Sequence, residues 1–179
     1  MRWLGFGIVA VIGLVAQTTL GWRFQLGGMR PDWILVLVVF FALHARAEEG
    51  IIAGCVLGVL ADLMSIERFG LMTLLYGLTS LVMFLCRDYF FIDHPLTHFF
   101  LTWIPAVGVS FASSLYCAWF VGGASSGWVS SLSLIFGAAY TAVWAVPIHA
   151  VLSRFPHFLG VRSGFGRGGR SRALRPKHV

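Results

Sequence analysis

The chain has 179 residues, of which 58% are hydrophobic and 11% are charged. An ordinary soluble domain is roughly 45–50% apolar and about 25% charged. A soluble globule of this length has no means of burying so much apolar surface, so lipid must be part of its solvent. The composition therefore excludes a soluble enzyme, a nucleic-acid-binding domain and a disordered chain.

The net charge of +6 is concentrated at one end of the chain. Residues from Arg154 to Lys177 include seven basic and no acidic side chains, whereas residues 1–153 include six basic and seven acidic ones. We therefore predict a nearly neutral membrane domain over 1–153 and a basic, disordered cytoplasmic tail over 154–179. Because each Lys or Arg near an anionic leaflet contributes ~1 kcal/mol, the tail is expected to bind the membrane surface rather than nucleic acid.

Six apolar segments predict six transmembrane helices, since one span needs about 20 residues. The first segment has no small-residue cleavage pattern after it and is expected to be a retained helix rather than a signal peptide. The second is short, and we expect it to extend further or to meet a thinned bilayer. The predicted spans are Trp3–Leu20, Pro31–Ala45, Ala47–Ser65, Phe69–Cys86, His98–Val121 and Trp128–Leu152.

Basic residues are distributed unequally between the two sides of the membrane. If the N-terminus is inside, 10 Lys and Arg residues lie on the inner side and 3 on the outer side, namely Arg23, Arg30 and Arg68. Basic loops favour the cytoplasm. Both termini are therefore predicted to be cytoplasmic.

One acidic residue, Asp62, lies within an apolar run, where a charge costs roughly 2.5–3.5 kcal/mol on insertion scales. Counted from Ala47 at about 1.5 Å per residue, Asp62 lies ~22 Å along the third helix, in the outer third of the bilayer. Two interpretations are open. Asp62 is either a functional site, or a cap or ion pair near the interface with Arg68 as the nearest opposite charge in sequence.

Three glycines, Gly50, Gly54 and Gly58, precede Asp62 at four-residue steps. Small residues at this spacing let the backbone of a neighbouring helix approach closely. The pattern predicts close packing, and it leaves open whether the neighbour belongs to the same chain or to another protein.

Pro31 and Asp32 are predicted to begin the second helix. A proline costs no hydrogen bond in the first turn, and an aspartate there complements the positive end of the helix. In the predicted topology both residues lie on the same outer face as Asp62. This arrangement allows an outer polar cluster that also includes Glu67 and Arg68.

Other combinations of reactive residues are weak candidates for a catalytic or metal site. Ser110 and His149 invite comparison with rhomboid proteases, but they are predicted at different depths and the chain contains no asparagine. His94 and His98 share a four-residue spacing, yet two histidines alone make a weak metal site. The three cysteines have unrelated spacings. We therefore expect no catalytic residue, no metal site and no cofactor.

Three motifs occur in a characteristic order and spacing. They are Gln17-Thr18-Thr19-Leu20, Arg30-Pro31-Asp32 before an apolar helix, and Gly50-x3-Gly54-x3-Gly58-x3-Asp62-Leu63-Met64-Ser65 followed by Phe69-Gly70. Together they resemble the rod shape-determining protein MreD family over about residues 4–152. Ile66-Glu67-Arg68 departs from the family, in which small residues and often proline are usual, and the basic tail is longer than usual.

The resemblance implies a non-enzymatic, multi-pass component of the bacterial inner membrane that serves the elongation machinery and helps control lateral peptidoglycan synthesis. The implied partners are the bitopic protein MreC and, indirectly, the filament MreB, the polymerase RodA and its transpeptidase. The implied fold is all-α and similar to the substrate-binding subunits of energy-coupling-factor transporters. That similarity supplies an alternative function, a small-molecule-binding membrane subunit.

The two functions require different residues. A scaffold would engage MreC through the glycine face of the third helix and the outer polar residues. Its candidate residues are Pro31, Asp32, Gly50, Gly54, Gly58, Asp62, Arg68 and Gly70. The alternative would need a polar pocket between helices. Its candidate residues are Asp62, Tyr76, Thr79, Tyr116, Tyr140 and Trp144.

The topology is tested by fusing a reporter enzyme that is active only in the periplasm. A fusion after Val179 is expected to be silent, and an insertion near Gly123 is expected to be active, because the larger number of basic residues stays inside. The measurement is reporter activity in intact cells at matched expression. The reverse pattern would contradict the topology.

Overall fold

The computed structural model describes residues 3–25, 29–64, 70–86, 95–116, 118–119 and 127–155. The described regular structure is helical, which confirms the all-α class. The six α-helices are α1 (Trp3–Arg23), α2 (Trp33–His44), α3 (Ala47–Met64), α4 (Leu71–Cys86), α5 (Pro95–Tyr116) and α6 (Gly127–Leu152). Within these ranges α1, α5 and α6 are long and apolar enough to cross a membrane.

The helix boundaries differ from the prediction mainly at α5. This helix begins at Pro95 rather than His98, because a proline in the first turn of a helix loses no hydrogen bond. Its α-helical part ends at Tyr116 rather than Val121. The second helix also begins later than expected. It starts at Trp33, because Asp32 has an extended backbone and acts as the N-cap, so Pro31 lies before the cap.

Helix α2 is the centre of the fold. It has 12 residues, and all of Trp33–Leu43 is buried. It contacts each of the other five helices. A helix with apolar side chains on every face is expected to be buried on every face, as α2 is.

The length of α2 corrects one expectation. The helix does not extend beyond His44, since the chain turns into an extended conformation at Ala45. At about 18 Å it is much shorter than the ~30 Å hydrocarbon core. Protein rather than lipid surrounds α2, so its length has no need to match the thickness of the bilayer.

The outer helices present apolar side chains to the surroundings. Leu4 in α1, Leu63 in α3, Leu74 in α4, Ile104 in α5 and Phe136 in α6 are each more than half exposed. Such a surface is compatible with lipid rather than water. The most extensive interhelical contacts join α3 to α4 and α5 to α6, so two helix pairs and α1 enclose α2.

Candidate functional site

Asp62, near the end of α3, caps the first turn of α4. One carboxylate oxygen accepts a hydrogen bond from the backbone N–H of Met72 at 3.0 Å. The other accepts from the backbone N–H of Thr73 at 2.9 Å and from its hydroxyl at 2.6 Å. The side chain is only 1% exposed. These three donors explain how a carboxylate is held inside the helix bundle, and they support the interpretation of Asp62 as a cap.

Gly70 explains why this cap comes from another helix. Its φ of 92° lies in the left-handed region that favours glycine. Its carbonyl accepts the N–H of Leu74 at 3.1 Å, which places Gly70 at the N-cap position of α4. An N-cap side chain normally bonds the second and third N–H groups of its helix, here those of Met72 and Thr73. Glycine has no side chain, and Asp62 supplies the missing acceptor from α3.

Asp32 caps α2 and also joins it to α4. One carboxylate oxygen accepts from the backbone N–H of Leu35 at 3.1 Å, as an N-cap residue does. The other accepts from the hydroxyl of Tyr76 at 2.5 Å. The single side chain therefore satisfies the start of α2 and fixes the position of α4 against it.

Side chains from α1 and α6 complete the start of α2. The backbone N–H of Trp33 donates to the amide oxygen of Gln17 at 2.8 Å. The backbone N–H of Asp32 donates to the hydroxyl of Thr141 at 3.2 Å. The first N–H groups of a helix have no partner within it, and a bilayer offers no water to replace one. Three helices thus supply acceptors and donors at the buried end of α2.

Helix α4 connects the two predicted acidic candidates. Thr73, which bonds Asp62, and Tyr76, which bonds Asp32, are three residues apart and so share a face of α4. The predicted outer cluster also included Glu67 and Arg68, which lie outside the described residues.

The glycine stripe of α3 faces helices of the same chain. A Cβ on Gly50 would lie 3.3 Å from the backbone oxygen of Phe41 in α2. A Cβ on Gly58 would lie 2.5 Å from Cα of Thr73 and 2.8 Å from the backbone oxygen of Met72 in α4. Gly54 lies against Ser80 of α4, whose side chain would overlap a Cβ there.

The helix period explains why one stripe meets two neighbours. A four-residue step rotates by about 40° around a straight helix, so Gly50 and Gly58 differ in direction by about 80°. Gly50 accordingly faces α2, whereas Gly54 and Gly58 face α4. The spacing left open which neighbour the stripe meets, and the structure places α2 and α4 of the same chain against it.

Polar side chains proposed for a small-molecule pocket also make contacts within the chain. The hydroxyl of Tyr140 donates to the backbone oxygen of Phe24 at 3.0 Å. The Trp144 ring lies 5.1 Å, between centroids, from both Phe24 and Trp33. Tyr76 is bonded to Asp32, and Thr79 is buried on α4.

His149 has partners other than Ser110. Its Nε2 lies 3.2 Å from the backbone oxygen of Val36, and its Nδ1 lies 3.2 Å from Nδ1 of His98. These contacts join α6 to α2 and α5. His94, the other histidine of the considered metal pair, lies outside the described residues. Within the described chain, no group of three or more His, Cys, Asp and Glu residues is arranged to hold a metal ion.

The sequence alone gave no structural role to Gln17, Thr73 or Thr141. Gln17 and Thr141 accept hydrogen bonds from the start of α2, and the hydroxyl of Thr73 donates to Asp62. A signal was present in α4. Thr73, Tyr76 and Ser80 recur at steps of three and four residues in a largely apolar segment, and this spacing indicates a polar stripe that faces the interior.

The close approach of α3 to α4 predicts the effect of adding one methyl group. Gly58→Ala should destabilise the protein by about 1–3 kcal/mol, because the new Cβ meets backbone atoms of α4 that have no freedom to move aside. Gly108→Ala is the matched control. Nothing lies within 4 Å of a Cβ there, so greater helix propensity should stabilise α5 by up to about 1 kcal/mol. Thermal unfolding in detergent measures both, and equal effects would contradict the packing.

The hydrogen bonds of Asp62 predict that different substitutions there will lower the stability of the protein by different amounts. Asp62→Ala leaves two backbone donors of α4 unpaired and should cost about 2–4 kcal/mol of unfolding free energy. Asp62→Asn keeps one acceptor oxygen and should cost less. Glu48→Ala, at an exposed acid of the same helix, should have little effect on stability. A stable Asp62→Ala protein that nevertheless fails in cells would make Asp62 a functional site instead.

One protein family matches the part of the chain that contains these caps. A family model described as rod shape-determining protein MreD matches residues 1–155, which is most of the 179-residue chain. No curated protein and no solved structure matches the chain. The matched segment contains Gln17, Asp32 and Asp62, and all six helices. The chain belongs to the MreD family, whose members are membrane proteins with a role in rod-shape determination.

Proposed function

We propose that this protein is a non-enzymatic scaffold of the cell-elongation machinery in the bacterial inner membrane. It spans the membrane several times with both termini in the cytoplasm, binds MreC, and through MreC helps control lateral peptidoglycan synthesis by RodA and its transpeptidase along MreB filaments. Its basic tail binds the anionic inner leaflet. Family membership supports the shape-determining role, and the described contacts support the scaffold mechanism.

The observation that best supports a scaffold is that the motif residues act as structural caps of helices. The side chains of Gln17, Asp32 and Asp62 each bond the N-terminus of a helix in the same chain. A catalytic group must reach a substrate, whereas these groups hold α1, α3 and α4 in place around α2. What these residues provide is a rigid bundle, and the outward faces of that bundle are available for partners.

The outward face of α4 is the surface that we assign to MreC. Leu74 and Leu78 are 64% and 51% exposed, and Leu81 and Leu85 continue the same face. Their spacing of four, three and four residues is the heptad pattern of helix-to-helix packing. The neighbouring helix α3 exposes a stripe at the same spacing. That stripe consists of Ile52, Val56, Val59 and Leu63.

A single transmembrane helix fits this surface. Helices in lipid associate by close packing rather than by exclusion of water, so a regular row of side chains is needed to interlock with the partner. A bitopic protein such as MreC presents one such helix to its partner. The surface of α3 and α4 therefore replaces the glycine stripe as the proposed contact.

Shortening the α4 stripe should weaken this contact. The double substitution Leu74→Ala and Leu78→Ala is expected to reduce MreC recovered by co-purification by roughly fivefold or more, which corresponds to about 1 kcal/mol. Cells that depend on this variant should lose rod shape. The protein itself should remain folded, because both side chains are exposed.

Val11→Ala with Val15→Ala is the matched control, since these residues are exposed and four positions apart on α1. MreC recovery should stay unchanged in the control. Wild-type recovery with the α4 double variant, at equal expression and equal thermal stability, would remove α4 from the interface.

The resemblance to the family also predicts a fold similar to that of the substrate-binding subunits of energy-coupling-factor transporters. That similarity stays a prediction.

A further inference from the structure

Three histidines lie together at the end of the bundle opposite the Asp32 cap. His44 is the last residue of α2, His98 lies near the start of α5, and His149 lies in the last turn of α6. Between centroids, the His98 ring is 5.1 Å from the His149 ring and 6.4 Å from the His44 ring. These residues, the histidine cluster, join three helices at what the predicted topology makes the inner end of the bundle.

The hydrogen bonds of the cluster determine where its hydrogens lie. A carbonyl oxygen only accepts, so Nε2 of His149 carries the hydrogen that it donates to the backbone oxygen of Val36 at 3.2 Å. In the neutral ring Nδ1 of His149 is then an acceptor. Nδ1 of His98 lies 3.2 Å from it and is the donor. By the same reasoning Nδ1 of His44 donates to the backbone oxygen of Phe40 at 3.0 Å.

There is room for one hydrogen between His98 and His149. A first extra proton leaves one Nδ1 able to donate and the other able to accept, so the bond is retained. When both rings are protonated, each Nδ1 carries a hydrogen and neither accepts. Two positive rings 5.1 Å apart also repel each other where the surroundings screen charge weakly. Double protonation therefore breaks the link between α5 and α6.

The surroundings of His149 give it like charges as neighbours. Among the described residues, the titratable groups that face it are His98 from α5 and His44 from α2. His149 is 2% exposed, whereas His44 and His98 are partly exposed, so protons reach the cluster through them. Other charged or titratable side chains at this end of the bundle are Arg46, Glu48 and Glu49 at the start of α3, Cys86 at the end of α4, and Arg154 after α6.

We propose that the histidine cluster is a pH-sensitive junction, which links α2, α5 and α6 while His98 and His149 share one hydrogen and releases α5 from α6 when both rings are protonated. The separated rings bind both protons, whereas the linked pair does not. The separated state therefore gains population as the pH falls below the ordinary histidine pKa of about 6.5. In the predicted topology this end faces the cytoplasm, so the signal is cytoplasmic acidification.

The first test locates the hydrogens in the unmodified full chain. The protein is labelled with nitrogen-15 histidine, reconstituted in bilayers and measured by solid-state NMR, with signals assigned from sequential connectivities. At about pH 8 the His149 ring should carry its hydrogen on Nε2 and the His98 ring on Nδ1. A scalar coupling should join the two Nδ1 nuclei, and it should disappear by about pH 5. A His149 ring with its hydrogen on Nδ1 at the higher pH, or a coupling unchanged at the lower pH, would overturn the proposal.

The second test measures opening at the junction. Amide hydrogen exchange, corrected for intrinsic rates, is compared at about pH 7.5 and about pH 5.5. Protection of 99–103 in α5 and 148–152 in α6 should fall by about fivefold or more at the lower pH. Protection of 8–12 in α1, a segment without a titratable side chain, should change by less than about twofold. Equal losses in all three segments would indicate general destabilisation and would sink the proposal.

The third test removes the titration and keeps a donor. His98→Asn places an amide N–H near the position of Nδ1 but takes up no proton, so the pH response of 99–103 should shrink to less than about twofold. His178→Asn is the matched control, because it removes a histidine that does not belong to the cluster and should leave the response intact. A full response in His98→Asn would assign it to other groups and contradict the proposal. The first test needs no substitution, so it decides the matter if this variant does not fold.

A metal ion between the rings would give a different result. Two nitrogens 3.2 Å apart also suit two ligands of one tetrahedral zinc ion. Treatment with EDTA at about pH 7.5 should leave the NMR signals and the exchange rates unchanged if a hydrogen joins the two rings. A change on chelation would show that a metal links them, and the proposal would fail.

Discussion

The carboxylate of Asp62 bonded to the first turn of α4 is the interaction on which the arrangement of the helices depends. A helix within a bilayer satisfies its own backbone except at its ends, where four N–H groups have no internal partner. Gly70 begins α4 without a side chain that could bond them. The acceptor must come from elsewhere, and Asp62 supplies it while fixing α3 against α4. Gly54 and Gly58 serve this constraint, because the carboxylate reaches the turn only where the backbones of α3 and α4 are close.

The same constraint governs α2, whose start receives polar groups from three other helices. Gln17, Tyr76 and Thr141 bond the cap region of a helix that is enclosed by protein. These bonds fix α1, α4 and α6 at one end of α2. The hydrophobic effect does not drive helices together in lipid, so directional bonds and close packing carry a larger share of the specificity.

Much of this fold could be predicted from hydropathy, because each long apolar run became a helix near its expected bounds. The sequence also indicates the central position of α2, because the segment from Trp33 to Leu43 has no polar face. The neighbours of the glycine stripe were not encoded, since spacing specifies a close approach and not which helix approaches. Nor was the partner of Asp62 encoded, because Arg68 is near in sequence whereas Thr73 is near only after α4 folds back on α3.

Internal use of the motif residues bears on where the proposed partner contact lies. The side chains of Asp32 and Asp62 bond within the chain, so the surface proposed for MreC is placed on the outward faces of the helices. That surface is linked to the start of α2, because Asp32 accepts a hydrogen bond from Tyr76 on α4, the helix that carries the leucine stripe. The cap at Asp32 therefore helps to fix the position of α4, and with it the direction in which the leucine stripe faces the bilayer.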